Sequence, residues 1–172
     1  AGPARAGHVV LCAGLGNAEL APQLDMFGAV RPVRGQIIVT ERLRPFLSCG
    51  TNFLRQTVEG GCVIGESSED AGFDTGTTME ILSDTARKVE LSFPFLANAR
   101  VVRAWSALRI MTPDGIPVYQ ANSFGSARAF TVSVHSGVTL APFHSGALAR
   151  QIGALALDET VARSFSAERF DV

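Results

Sequence analysis

Residues 134–143 read Val-His-Ser-Gly-Val-Thr-Leu-Ala-Pro-Phe. The elements on either side of this stretch indicate how the chain folds. The alternating run before it, 129–134, predicts a β-strand, and apolar residues at helical spacing over 140–157 predict a helix. The stretch therefore predicts a strand, a bend at Gly137 and a helix capped by Thr139. Because the first turn of a helix carries unpaired N–H groups and a partial positive charge, we expect an anionic or acceptor-rich ligand there.

A second polar feature lies upstream, where residues 105–119 place Arg109 among apolar neighbours. The planar guanidinium of arginine binds a carboxylate through two parallel hydrogen bonds. The two stretches together predict a small-anion site that faces a cofactor, with Arg109 and the start of the last long helix at one pocket. The alternative is that Arg109 pairs with a surface carboxylate.

Composition excludes several classes of function. The chain has 172 residues, enough for one domain or slightly more, and its net charge of −1 does not favour nucleic acid as a partner. Three cysteines and three histidines lack metal-ligand spacing, so no metal site is predicted. Unpatterned cysteines favour a reducing compartment, and we predict a cytoplasmic location. No run of 18 apolar residues predicts a membrane span, and no signal-peptide pattern opens the chain.

The order of predicted elements favours an α+β fold with a mostly antiparallel sheet and flanking helices. The first and last segments are assigned to a second, incomplete α/β layer, and the first strand is expected to be fully buried. Asn17 is predicted to cap the first helix. The predicted strands cover 9–13, 37–40, 99–108, 117–120 and 129–134, with a hairpin over 53–66 across Gly60 and Gly61; the predicted helices cover 18–26, 78–93, 140–157 and a short turn at 159–165.

Two charged segments receive no functional role from the sequence. Arg31 and Arg34 lie in a predicted loop over 30–36 and are interpreted as solvated charges. The acidic run over 67–76 is interpreted as a surface turn without a partner, and 123–128 is predicted to be a polar loop.

Four stretches together resemble the C-terminal half of FAD-dependent amine and amino-acid oxidoreductases of the D-amino-acid-oxidase-like family. They are residues 9–14, 30–36, 105–117 and 135–142. The resemblance implies FAD as cofactor, a small amine or amino acid as substrate, and oxidation by hydride transfer to the flavin. It also implies a partial FAD-binding strand and helix over 1–30, a substrate-binding domain over 31–130, and a return to the FAD-binding domain over 131–172.

The same resemblance implies roles for single positions. Arg109 would hold the substrate carboxylate, and His135 and Tyr119 would contact the substrate. The alternatives are a turn role for His135 and a packing role for Tyr119. The positions implied to contact the flavin are Ala13, Gly14, Ser136, Gly137, Val138, Thr139 and Leu140.

This sequence lacks the Gly-x-Gly-x-x-Gly strand–helix unit that holds the ADP half of FAD in the family. We therefore expect that unit in a preceding N-terminal region or in a partner subunit, which would make this chain a fragment of an oxidase or dehydrogenase. The alternative hypothesis is a non-catalytic binding or assembly module that keeps the fold.

Overall fold

A computed structural model describes residues 2–3, 5–65, 67–124 and 127–170. The chain divides into two compact units, the first formed by Ala1–Arg31 with Ile110–Val172 and the second by Pro32–Arg109. The strands are β1 (His8–Leu11), β2 (Arg31–Arg42), β3 (Leu54–Gln56), β4 (Gly61–Gly65), β5 (Val101–Met111), β6 (Val118–Phe124) and β7 (Ala127–Ser133). The α-helices are α1 (Asn17–Leu20), α2 (Met79–Ser92), α3 (Ala141–Phe143), α4 (Ala149–Gly153) and α5 (Glu159–Ser164); a π-helical segment, His144–Leu148, joins α3 to α4.

The first unit contains a three-stranded sheet in the order β1-β7-β6. β1 runs parallel to β7, with His8 opposite Arg128 and Leu11 opposite Thr131, while β6 is antiparallel to β7. Because β1 and β7 point the same way, the segments that follow them leave the sheet at the same edge.

Asn17 connects those two strands from the first helical turn. It is fully buried, and its side-chain amide donates to the carbonyl of Val132 at 3.2 Å and to Ser133 Oγ at 2.9 Å. Its Oδ1 accepts from the Ala13 N–H at 3.1 Å. The prediction of Asn17 as a helix cap is therefore wrong, and the predicted helix over 18–26 is a single α-turn followed by a 3₁₀ turn at Ala21–Leu24.

The second unit contains a four-stranded sheet in the order β3-β4-β2-β5. β3 pairs with β4 and β4 with β2, both antiparallel, so the predicted hairpin is confirmed. The helix predicted over 78–93 is also confirmed, since α2 begins after Thr78 and ends before Phe93. The buried residues shared by this sheet and helix are Ile38, Leu54, Cys62, Ile64, Val89 and Leu96.

Two predictions about strands need correction. β1 is not fully buried, because Val9 and Val10 remain 40% and 41% exposed. The predicted loop over 30–36 is the first half of β2, and it is extended because Arg34 exchanges two backbone hydrogen bonds of 2.9 Å with Glu69. That partner lies 35 residues away, beyond what the local pattern can indicate.

The fold class is α+β, with an antiparallel sheet and flanking helices. The compact units divide at residue 109, whereas the predicted substrate-binding segment extends to 130; β6 pairs with β7 in the first unit. The assignment of the three segments to functional domains stays a prediction. The loop predicted over 123–128 is shorter, because β6 reaches Phe124 and β7 begins at Ala127; Gly125 and Ser126 lie outside the described residues. Among the described helices, none has both the length and the apolar character needed to cross a membrane.

Candidate cofactor and substrate sites

The predicted cofactor-binding residues of the first unit come from two turns at one sheet edge. Ala13 and Gly14 follow β1, and residues 136–140 follow β7. The strands are adjacent and parallel, so both turns leave the sheet at the carboxyl ends of the strands. Open α/β sheets bind ligands outside this edge.

The Gly14 turn depends on glycine. Gly14 has a φ of +63°, in the left-handed region, and an added Cβ would lie 3.1 Å from Cδ1 of Ile110. The N–H of the preceding Ala13 is bound by Asn17. The hydrogen bond to Asn17 therefore holds this turn in place. Position 14 itself carries no side chain.

The turn after β7 differs from the sequence prediction in its bend. The left-handed residue is Ser136, with a φ of +63°, rather than Gly137. Thr139 makes no capping hydrogen bond, and the residue before the helix is Leu140, whose backbone is already helical with φ −88° and ψ −1°. The chain enters the helix through a curled turn, closed by a 3.1 Å bond from the Leu140 N–H to the Ser136 carbonyl. The helix begins at Ala141 without a side-chain cap, so the prediction that Thr139 caps it is wrong.

This turn presents unsatisfied backbone donors. In the part of the chain that the structure describes, the N–H groups of Gly137, Val138 and Thr139 have no hydrogen-bond acceptor. All three residues are exposed, and Val138 is 93% exposed. The helix that follows ends at Gly153 rather than at the predicted Leu157, because Leu155 takes a left-handed φ of +59°. Three adjacent N–H groups without a protein acceptor are able to donate to an acceptor-rich ligand.

A cavity of about 270 Å³ adjoins the Gly14 turn. Its lining is mostly apolar: Cys12, Gly14, Ile110, Val132, Val134, His144, Leu148 and Ile152. His144 Nε2 lies 2.8 Å from the hydroxyl of Tyr119. Burial lowers the pKa of His144 and raises the pKa of Tyr119, so both side chains stay neutral at neutral pH. Sequence analysis missed His144, because nothing in the local pattern indicates its partner 25 residues away.

The two predicted substrate contacts of the first unit lie in different surroundings. Tyr119 is only 3% exposed and packs against Phe143 and Phe165, which favours the packing alternative. His135 is half-buried, and its Nδ1 lies 2.9 Å from Ser136 Oγ, at the turn itself. Contact of either residue with a substrate stays a prediction.

Arg109 lies on β5 in the second unit, with its guanidinium held by backbone groups. Nη1 donates to the Ser67 carbonyl at 2.7 Å. The guanidinium also rests on Gly35 of β2, where an added Cβ would overlap its atoms. No ion pair of Arg109 occurs within the described residues. The described part of the chain thus leaves most of its donors available, as a carboxylate site requires.

The charges that the sequence left without a role form a network beside Arg109. Arg34 is 6% exposed, and its Nε and Nη2 donate to Glu69 Oε2 at 3.1 and 2.7 Å. Its Nη1 pairs with Asp74. Arg34 is therefore not a solvated loop charge, and the acidic run over 67–76 does have a partner. The hydrogen bond to Glu69 is the main reason why the pKa of Arg34 rises.

Glu69 is the centre of this network. Its carboxylate also accepts from the Gln36 side-chain amide at 3.1 and 3.0 Å and from Ser67 Oγ at 3.0 Å. Burial alone would raise the pKa of Glu69, but the hydrogen bonds from Arg34, Gln36 and Ser67 outweigh it and hold the pKa below the usual range. Glu69 therefore stays ionised at neutral pH.

Comparison with solved structures identifies the class of fold. A glycine oxidase from Geobacillus kaustophilus superposes with a TM-score of 0.78 at 21% identity, covering 92% of this chain and 44% of that one. The fold is thus that of a glycine oxidase, over the part of its length that this chain spans.

Comparison with curated sequences then places the chain in a family. Residues 1–151 match the model of the FAD dependent oxidoreductase family. An opine oxidase subunit of Agrobacterium tumefaciens is 39% identical over 163 residues, covering 95% of this chain and 43% of the relative. A hydrogen cyanide synthase subunit of Pseudomonas protegens is 34% identical over 123 residues, covering 69% and 30%. The chain belongs to the FAD dependent oxidoreductase family, and it spans less than half the length of these relatives.

The residues of the first unit fit the cofactor of that family. The flavin ring carries carbonyl and nitrogen acceptors, and the turn at 137–139 offers N–H donors without acceptors in the described structure. The turn that follows β1 carries the small residues Ala13 and Gly14, and Gly14 lines the adjoining cavity. These features match the requirements of a flavin better than those of a metal ion.

Proposed function

We propose that this chain is the C-terminal, substrate-binding and flavin-capping part of an FAD-dependent oxidoreductase that oxidises an amine or amino acid. Family membership supports the cofactor and the oxidoreductase class. The names of similar proteins, opine oxidase and glycine oxidase, support an amine or amino acid as substrate. The observation that carries the proposal is the pair of turns at one sheet edge, with three free N–H groups on the second turn.

The flavin, when bound, supplies the acceptor for the hydride that leaves the substrate Cα. The N–H groups of Gly137, Val138 and Thr139 are proposed to bind the acceptor edge of its ring, beside Ser136 and Leu140. Donors that are already in place stabilise negative charge as it develops, without reorganisation. Ala13 and Gly14 are proposed to let the ring approach the end of β1.

Arg109 is proposed to bind the substrate carboxylate. Gly35 and Ser67 orient its guanidinium, so less conformational entropy is lost when the acid group binds. No protein base is required if the amine reaches the site neutral. His135 is proposed to contact the substrate from its turn, while the burial of Tyr119 favours a packing role.

The ADP half of FAD is proposed to bind a dinucleotide-binding unit in the preceding sequence or in a partner subunit. Two of the relatives are themselves named as subunits, which supports a multi-subunit enzyme. We also propose a cytoplasmic location, on the absence of any cysteine pattern typical of a disulfide framework. The reading frame upstream of residue 1 and its neighbouring genes test where the dinucleotide-binding unit lies.

The sharpest test of the function is Arg109→Lys in the complete FAD-loaded protein. Lysine keeps the charge but cannot form the bidentate hydrogen bonds of arginine to a carboxylate. The KM for a reactive amino acid should therefore rise about 10- to 100-fold. Anaerobic flavin bleaching with glycine, proline and an opine identifies the reactive substrate and supplies the rates. Arg103→Lys is the matched control, because Arg103 is exposed on the same strand and stacks on Trp105.

An unchanged KM in Arg109→Lys would contradict the carboxylate role. No flavin reduction by any of the three substrates, in a protein that binds FAD, would contradict amine oxidation. Failure to bind FAD at all would favour the assembly-module alternative.

A further inference from the structure

The hydrogen bond that orients Arg109 ends on a main-chain carbonyl. Arg109 Nη1 donates to Ser67 O, and the guanidinium lies against Gly35. A carbonyl fixes one of the five donors without neutralising the positive charge. The direction of the guanidinium therefore depends on where the peptide of Ser67 is held.

Ser67 is held through its side chain. Its Oγ accepts from the Gln36 N–H at 2.6 Å and donates to Glu69 Oε1 at 3.0 Å. Both the donor and an acceptor site of the hydroxyl are in use, so its rotation is fixed. The carboxylate of Glu69 thus selects the position of the peptide that contacts Arg109.

Glu69 is fixed to β2 by both backbone and side chain. Its N–H and carbonyl exchange hydrogen bonds with Arg34, and its carboxylate accepts from Arg34 and Gln36. Side chains alternate between the faces of a strand. Arg34 and Gln36 therefore hold Glu69 from one face, while Gly35 between them supports the Arg109 guanidinium on the other.

The ion pairs of this network are made by Arg34 and do not include Arg109 in the described structure. Arg34 pairs with Glu69 through Nη2 and with Asp74 through Nη1. In the described structure Glu69 makes no ion pair with Arg109. Within the described residues, the charge of Arg109 is not taken up by Glu69, although this carboxylate lies two residues from the carbonyl partner of Arg109.

We propose that Glu69 is a positioning residue for the substrate-carboxylate site, acting through Ser67 on the orientation of Arg109. The inference depends on the proposed role of Arg109 and adds Glu69 as the residue that sets the orientation of the guanidinium. A merely structural Glu69 would influence folding and flavin content, but not the affinity for a carboxylate once the protein is folded.

The test measures acetate binding to the complete FAD-loaded protein through the change in flavin absorbance, together with KM and kcat for the reactive amino acid. Glu69→Gln should raise the acetate Kd and the KM about tenfold, while kcat changes less than about threefold. Asp74→Asn is the matched control, because it removes the other carboxylate of Arg34 and has no link to Ser67. It should leave the acetate Kd within about twofold.

A second variant keeps the test decisive if Glu69→Gln does not fold. Ser67→Ala removes the hydroxyl between Gln36 and Glu69 but keeps the carbonyl that Arg109 contacts. It should raise the acetate Kd about three- to tenfold. An unchanged acetate Kd in a folded Glu69→Gln variant, or in Ser67→Ala where Glu69→Gln does not fold, overturns the proposal.

The double variant and Arg109→Lys separate this inference from the proposed function. If Glu69 acts through Arg109, adding Glu69→Gln to Arg109→Lys should raise the acetate Kd less than about twofold further. If Arg109→Lys raises the acetate Kd and Glu69→Gln does not, only the positioning role fails. If the unmodified protein does not bind acetate, or Arg109→Lys binds it equally well, the carboxylate site itself is wrong.

Discussion

Two polar regions of the molecule differ in whether their hydrogen-bonding groups have partners. The loop over 67–78, in the second unit, is bound to Arg34 and Gln36 of β2 through Glu69 and Thr78. The turn over 136–140, in the first unit, leaves three backbone donors without acceptors in the described structure. A loop whose polar groups have partners is held in place by them, whereas exposed N–H groups without a protein acceptor remain able to donate to a ligand.

The difference shows that polar composition alone does not indicate which region binds a ligand. The acidic loop carries more charge, yet two of its carboxylates, those of Glu69 and Asp74, are paired with Arg34 of β2. The turn over 136–140 has no charged side chain, and its donors belong to the backbone. Binding capacity therefore follows from unsatisfied groups, because a group that already has a partner gains little by exchanging it.

The largest expected effect on the free energy of unfolding comes from removing the hydrogen bonds between Gln36 and the 67–78 loop. Gln36 is fully buried; it donates to Glu69 and to Thr78 Oγ1 and accepts from the Thr78 N–H at 3.0 Å. Gln36→Leu keeps a similar volume but removes one hydrogen-bond partner of Glu69 and the acceptor of the Thr78 N–H. Urea unfolding should show a loss of about 3 kcal/mol in the free energy of unfolding.

Gln23→Leu is the control for this prediction. Gln23 is an exposed glutamine with one hydrogen bond, to the Glu19 carbonyl. Its replacement should change the free energy of unfolding by less than about 0.5 kcal/mol. Equal losses in the two variants would mean that the 67–78 loop is not held by its internal bonds.

The same contrast explains what the sequence predicted and what it missed. The hairpin at Gly60 and the helix α2 were predictable because turn residues and apolar spacing act over a few positions. The strand character of 31–36 was not, because Arg34 pairs with a residue 35 positions away. The buried role of Asn17 escaped for the same reason, since its partners lie 115 and 116 residues along the chain.

At the candidate site, backbone roles were easier to predict than side-chain roles. The order of strand, turn and helix around residues 134–143 follows from local pattern, and the structure contains it. The sequence predicts a bend at Gly137, and the residue with the left-handed φ is Ser136, one position earlier, although glycine takes such a φ more readily. The network that orients Arg109 joins three separate segments, so no single stretch of sequence contains its signal.

An effect of intermediate size, on the Kd for FAD, is expected from placing a carboxylate on the 136–140 turn. Val138 is 93% exposed, so Val138→Asp should leave the free energy of unfolding within about 0.5 kcal/mol. The added carboxylate would repel an acceptor-rich ring and compete for the free N–H groups. We expect the Kd for FAD of the complete protein to rise about tenfold, a difference of about 1.4 kcal/mol. Flavin fluorescence titration measures it.

Val58→Asp provides the matched control for the turn. Val58 is 99% exposed, in the turn between β3 and β4 of the second unit. The same charge change there should leave the Kd for FAD unaltered. If Val138→Asp also binds FAD like the unmodified protein, the free donors of the 136–140 turn do not contact the cofactor.

The smallest effect tests whether the first unit also contains a satisfied ionic cluster. Arg169 donates to Asp114 at 2.7 and 3.1 Å, and this hydrogen bonding, ahead of the Ile116 N–H, lowers the pKa of Asp114 from 3.8 to about 2. A carboxyl whose pKa is lower in the folded protein stabilises it above the unfolded pKa, and this contribution disappears as pH falls through the folded pKa. Since the pair is partly exposed, its contribution should be about 1 kcal/mol or less.

Asp114→Asn should therefore be less stable than the unmodified protein at pH 5, and the difference should shrink between about pH 4 and pH 2. Urea unfolding at several pH values measures it, and Arg169→Gln should show the same pH dependence because it removes the other half of the pair. A difference that stays constant down to pH 2 would mean that the Asp114 charge does not stabilise the fold. If the difference does shrink, the first unit contains satisfied charges as well as free donors. The open 136–140 turn is then a property of that segment, not of a unit poor in polar partners.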